Sequence, residues 1–158
     1  MVKVKLSVIG KTKSEFLIEG ENEYVKRLKH YCKFSELIIP DVKNTGKLSK
    51  KKLKEKEGNL ILESIKNNDY VILLDDKGLA LTSVNFAEFL NKKMVSSTNE
   101  LVFVVGGAFG FSESVNKRAN TKLSLSKMTF SHQMVRLIFK EQLYRAFTIL
   151  KGEKYHHE

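Results

Sequence analysis

A single cysteine, Cys32, rules out an internal disulfide, and no group of cysteines or carboxylates stands near the histidines to complete a zinc site. Long apolar runs are missing as well: no window approaches the roughly eighteen consecutive apolar residues that a membrane span requires. The first residues alternate Val2-Lys3-Val4-Lys5-Leu6 where a secretory leader would carry an uninterrupted apolar stretch. The expectation is a cytoplasmic protein with no membrane and no metal. Acidic residues are scarce: 18 Asp and Glu face 28 Lys and Arg, a formal charge of +10. Such an excess attracts polyanions, of which nucleic acid is the commonest, but it does not choose among their sequences. Internal repeats and low-complexity linkers are also absent, and 158 residues suit one domain, 1–158, with a core of its own.

Two familiar phosphate motifs are absent too. Gly106-Gly107-Ala108-Phe109-Gly110 follows an apolar run and precedes a helix start, a place where glycine lets a ligand approach the backbone. It is not G-x-G-x-x-G, and no acidic residue follows at the distance that holds a nicotinamide ribose, which argues against a dinucleotide enzyme. No Gly-Lys-Ser/Thr closes this turn either, so it is not a Walker-type phosphate loop and an ATPase reading of it fails.

What is there reads as alternating strands and helices. Residues Val2 to Ile9 alternate apolar with polar and predict a strand with one buried face. Thr12 and Glu15 have capping-box spacing for a helix to about Tyr31, with Leu17, Tyr24, Leu28 and Tyr31 on one side. Leu37-Ile38-Ile39 predicts a second strand ending at Pro40. Seven lysines lie between Lys43 and Lys56 around an apolar stripe of Leu53, Leu60, Ile61 and Ile65, a pattern shared by solvated helices and phosphate-binding ones. Tyr70–Leu74 and Leu101–Val105 are continuous apolar runs, the mark of strands buried on both faces of a parallel sheet. Asp75-Asp76-Lys77-Gly78 reads as a turn, Ser83–Met94 as a helix, Ser112 as the start of a short helix to about Ala119, and Leu123-Ser124-Leu125 as the last strand. The fold class is α/β with a mostly parallel sheet flanked by helices.

The final stretch, Leu123 to Glu158, carries three of the four histidines and a helix-spaced series Met134, Ile138, Ala146, Ile149, stopped by Gly152. Glu141 and Arg145, four apart, have the spacing of an ordinary helix ion pair, and by spacing alone Gln133 and Arg136 belong to the same polar surface. Apolar residues cover more than one face of this helix, from Met134, Val135, Leu137 and Ile138 to Phe139, Leu143, Phe147 and Leu150, enough for the sheet and for a partner.

The motifs LSLSKMT, HQMVR, EQLYRA and a final YHH after glycine, together with the Gly106–Gly110 turn and the basic N-terminal half, resemble the ribosomal RNA large subunit methyltransferase H family. That family lies within the SPOUT superfamily of knotted, S-adenosylmethionine-dependent enzymes. The resemblance implies a C-terminal trefoil knot, a homodimer whose pocket borrows partner residues, and methylation of N3 of a pseudouridine in large-subunit ribosomal RNA of the assembled ribosome. It places S-adenosylmethionine among Leu74, Gly106, Leu125, Ser126, Lys127, Met128, Thr129 and Phe130. It makes Arg145 the cation facing the ionised base, leaves His132, Glu141 or a water ordered by His156 as proton acceptor, and makes Tyr155 part of a lid over the pocket. Ser131, Lys154 and His157 depart from the family's usual proline, proline and Arg or Lys; the first two are expected to loosen the loops. The alternative is a ribosome-binding module with a degenerate pocket and no catalysis.

Overall fold

The computed structural model describes residues 1–43, 45–96 and 99–157. Its elements are β1 (Lys3–Ile9), α1 (Glu15–Leu28), β2 (Lys33–Ile39), α2 (Lys50–Glu63), β3 (Tyr70–Ala80), α3 (Ser83–Val95), β4 (Leu101–Val105), α4 (Glu113–Arg118), β5 (Thr121–Ser124) and α5 (His132–Leu150). The five strands pair in parallel in the order β2-β1-β4-β3-β5. This is the α/β class that the alternating pattern predicts, with the two continuous apolar runs side by side near the middle.

The sheet has a core on each face, and period-two alternation sorts residues between them. Leu101, Phe103 and Val105 of β4 face one cluster with Phe86 and Leu90 of α3 and Phe139, Leu143 and Phe147 of α5. Val102 and Val104 face the other, with Ile61 of α2 and Val115 of α4. Three helices therefore cover one face and two the other. The expectation that β1 buries only one face is corrected: Ser7 is fully buried, and Lys5 reaches Glu100 at 3.0 Å. Helices α2 and α4 cover the side that its polar residues suggested was open.

Three local expectations give way to tertiary contacts. Thr12 does not cap α1; the N-cap is Ser14 without a side-chain cap bond, and the Thr12 hydroxyl accepts from Arg136 at 3.2 Å. Asp75 to Gly78 do not end the third strand. β3 runs on to Ala80, with its register against β5 shifted between Leu74 and Leu79, because the extended backbone gains a second stretch of pairing. Ser131 does not loosen the start of α5 but caps it, accepting from the Met134 amide at 3.1 Å.

Because every strand is parallel, all five carboxyl ends reach one edge of the sheet. The loops after them and the helix N-termini gather there, which is where ligands bind in this class of sheet.

Candidate active site

At that edge the middle of β3, where its register shifts, the end of β4 and the segment after β5 enclose a hollow of about 370 Å³, within the usual range for small-molecule sites. Leu74, Gly106, Leu125, Ser126, Met128, Thr129 and Phe130 line it, joined by Val105, Gly107, His132 and Val135. Lys127, which the resemblance placed here, is not part of the wall. Among the described residues the wall contains no lysine or arginine, and it contains two carboxylates, Asp75 and Asp76. That charge arrangement repels a phosphate and suits a cationic ligand.

A glycine in the wall leaves room for a carboxylate behind it. A β-carbon at Gly107 would lie 2.6 Å from Oε2 of Glu57, whose side chain is buried behind the turn. Burial first, and then the nearby Asp41, pushes the Glu57 carboxyl above its ordinary range.

His132 opens α5 and half-emerges into the hollow. Its pKa is lowered, first by burial and then by the charge of Arg136, so the ring is neutral and able to accept a proton at physiological pH. Arg136, one turn further on, is not a surface residue: it is fully buried. Its guanidinium donates to the carbonyls of Ile9 at 2.7 Å and Gly10 at 2.8 Å, and more weakly to that of His132 at 3.3 Å. Gln133 adds a clasp, accepting from the Lys13 amide at 2.9 Å and donating to the Lys11 carbonyl at 3.1 Å. Together they tie the end of β1 to the first turn of α5 and hold His132 in place. An arginine within an apolar helical repeat was the one available signal, and spacing alone assigned it to the surface.

The other predicted catalytic residues are brought together elsewhere. Arg145 donates to Oε1 of Glu141 at 2.6 and 3.1 Å and to Nδ1 of His156 at 3.1 Å, and its guanidinium lies 4.7 Å from the centre of the Tyr155 ring. Tyr155 donates to the same Glu141 oxygen at 3.0 Å, lies 3.3 Å from the Tyr24 hydroxyl and packs edge-on against Tyr144. Gln142 occupies the other Glu141 oxygen at 3.0 Å. The carboxylate raises the pKa of Arg145, while burial and then the bonds to Tyr24 and Glu141 raise that of Tyr155. Tyr155 is not a lid over the hollow of its own chain; the tail docks on α1 and α5 because their tyrosines offer it aromatic surface. Twelve residues of helix separate Arg145 from His132, about 20 Å of rise. In one chain the hollow with His132 and the Arg145–Glu141 ion pair with its aromatic and histidine neighbours are therefore two separate places.

No helix among the described residues is long and apolar enough to cross a membrane, and no group of described side chains has the makings of a metal site.

Residues 2–156 match the family described as "Predicted SPOUT methyltransferase". A protein of Parabacteroides distasonis named ribosomal RNA large subunit methyltransferase H is 56% identical over 157 residues, 99% of this chain and 100% of that one. Proteins of the same name from Christiangramia forsetii and Flavobacterium johnsoniae are 54% and 55% identical, over 98% of this chain and 98% and 99% of theirs. With a family match and relatives of this similarity along essentially their whole length, the chain belongs to the SPOUT methyltransferases, in the ribosomal RNA large subunit methyltransferase H family.

Proposed function

We propose that this chain is a cytoplasmic methyltransferase of large-subunit ribosomal RNA that uses S-adenosylmethionine and acts on N3 of a pseudouridine in the assembled ribosome. The observation that carries the reading is the hollow itself: glycine-walled, apolar on several sides, and bearing carboxylates where a phosphate site would bear cations. Leu74, Val105, Leu125 and Met128 offer surface to an adenine, the exposed backbone of Gly106 and its neighbours offers hydrogen bonds to its edge, and Asp75 and Asp76 favour a positively charged donor. When bound, the donor supplies an electrophilic methyl group.

N3 of the base lies between two carbonyls and must lose its proton before it becomes a useful nucleophile. His132 is the acceptor we assign. It borders the hollow and is held neutral, whereas both oxygens of Glu141 are already engaged. Arg145 supplies the fixed positive charge for the developing imide anion, steadied by Glu141, Tyr155 and His156. The distance between the two places, each read as a half-site, supports a homodimer in which a second copy brings its Arg145 cluster to this hollow. Position along α5 agrees: Phe139, Leu143 and Phe147 are committed to the core, while Met134 and Ile138 are only half-covered. The family's trefoil threading is part of the same proposal. It is supported by α5, which leaves an edge strand yet packs against both α1 and α3.

Transfer of labelled methyl from S-adenosylmethionine to ribosomes tests the reading, with intact particles labelled and naked RNA poorly labelled. Absence of labelling, with no heat on titration of the donor, assigns the chain to the non-catalytic ribosome binders instead. The acid limb of kcat/KM reports the free enzyme's base. Because the folded environment lowers the His132 pKa, that limb should fall below the ordinary histidine value of about 6.5. His132→Gln should lower kcat about 10²- to 10⁴-fold and abolish the limb; an unchanged limb removes His132 from the role. At the tail, His157→Lys keeps a positive charge above neutrality, so activity near pH 8 should be kept or improved. We assign the tail the part of a clamp that meets RNA through positive charge, and a large loss counts against it.

A further inference from the structure

The turn that forms one wall of the hollow also projects an aromatic ring outward. Gly110 N–H donates to the Gly107 carbonyl at 3.2 Å, and Ala108 and Phe109 form the tip between them. Gly107, Ala108 and Gly110 line the hollow, whereas Phe109 is not in the lining and stands 45% exposed beside it. A lone exposed phenylalanine needs no explanation. This one has company. The ammonium of Lys50, the first residue of α2, lies 5.1 Å from the centre of its ring. Lys47, Lys51, Lys52 and Lys56 are exposed on the same segment, and none is ion-paired among the described residues. The lysine run left undecided by sequence between solvated surface and phosphate contact thus begins beside an aromatic surface at the mouth of the hollow.

Aromatic faces beside cationic side chains are how proteins grip unpaired nucleic acid: the ring stacks on a base and the ammonium groups meet the phosphates. We propose that Phe109 is a stacking platform for an unpaired nucleobase of the RNA substrate, flanking the target nucleotide, with Lys50 and its neighbouring lysines holding the adjoining phosphates. This rests on the RNA-methyltransferase reading and adds a positioning residue to it. The occupant is a base rather than a protein's apolar side chain because the surrounding charge is cationic and complements a polyanion. A turn shared by platform and hollow would link the position of the flanking base to that of the target.

The chain contains no tryptophan, so F109W installs a single reporter at the tip. A short single-stranded RNA should quench its fluorescence, while an abasic ribose-phosphate chain of the same length should bind through charge and quench little. Phe109→Ala should weaken RNA binding about 5- to 150-fold, the range that stacking of one base spans, and leave binding of the abasic chain unchanged. Phe109→Tyr should restore it. With ribosomes, Phe109→Ala should raise KM with little change in kcat, and heats of donor binding should match wild type. RNA binding by F109W without quenching, or equal affinity of Phe109→Ala for RNA, overturns the platform. Quenching, with no methyl transfer to ribosomes by the unaltered chain, supports the platform and removes the enzymatic reading; methyl transfer to ribosomes without quenching by RNA removes the platform alone; binding to neither RNA nor ribosomes sinks both.

Discussion

Arg145→Ala should lower kcat about 10²- to 10³-fold, the usual loss when one preorganised charge is removed from beside a developing anion. The more informative result comes from pairing it with His132→Ala. Each variant alone should be nearly inactive. A heterodimer purified through two different tags, one copy carrying each lesion, should recover about half of wild-type activity, because one of its two composite sites is whole and the other carries both lesions. The prediction follows from the length of α5: with 12 residues between them, His132 and Arg145 of one chain lie about 20 Å apart along the helix. If each site were built within one chain, both sites of the heterodimer would carry a lesion and activity would stay at the level of the single variants. Arg145→Lys should recover little, since an ammonium cannot make the paired contacts through which the guanidinium meets Glu141 and His156 together.

The centre of this fold was legible because its signals were redundant. Leu101–Val105 and Tyr70–Leu74 are apolar without alternation, which only a strand covered on both faces tolerates, and both became inner strands of the sheet. Edges and caps were read less well because local chemistry was outbid by distant partners. Asp75-Asp76-Lys77-Gly78 has turn composition, yet pairing with β5 extends the strand through it. Thr12 has the spacing of a cap, yet Arg136 takes its hydroxyl. The hollow was reached through family motifs rather than through periodicity: seven of the eight residues those motifs named line it, and the exposed Lys127 does not. Arg136 and Lys140 were invisible for one reason. A charged residue on a helical stripe looks like surface until its distant partners are brought alongside: the carbonyls of Ile9 and Gly10 for Arg136, the carboxylates of Glu21 and Glu36 for Lys140.

Lys140→Met should be the most destabilising of the substitutions considered, by about 3–5 kcal/mol. The Lys140 ammonium is buried at the junction of α5, α1 and β2, where it donates to Glu21 at 2.7 Å and to Glu36. Removing it leaves Glu21, with a side chain only 6% exposed, as an uncompensated charge in the interior. For a chain of this length that loss corresponds to a fall in Tm of about 10 °C by thermal denaturation. The double substitution Lys140→Leu with Glu21→Leu should return to within about 1–2 kcal/mol of wild type, because it removes both desolvated charges and fills their space with packed hydrocarbon. Glu36 does not prevent this recovery, since its side chain is 23% exposed and has access to water. The distinction matters for function, because α5 carries His132 at one end and Arg145 at the other, and the ion cluster fixes the helix between them. If the double variant regains its melting temperature and its methyl transfer together, the cluster is one of several ways to seat α5. If it regains stability alone, the charges set the helix's register against α1, and with it the distance between the two half-sites.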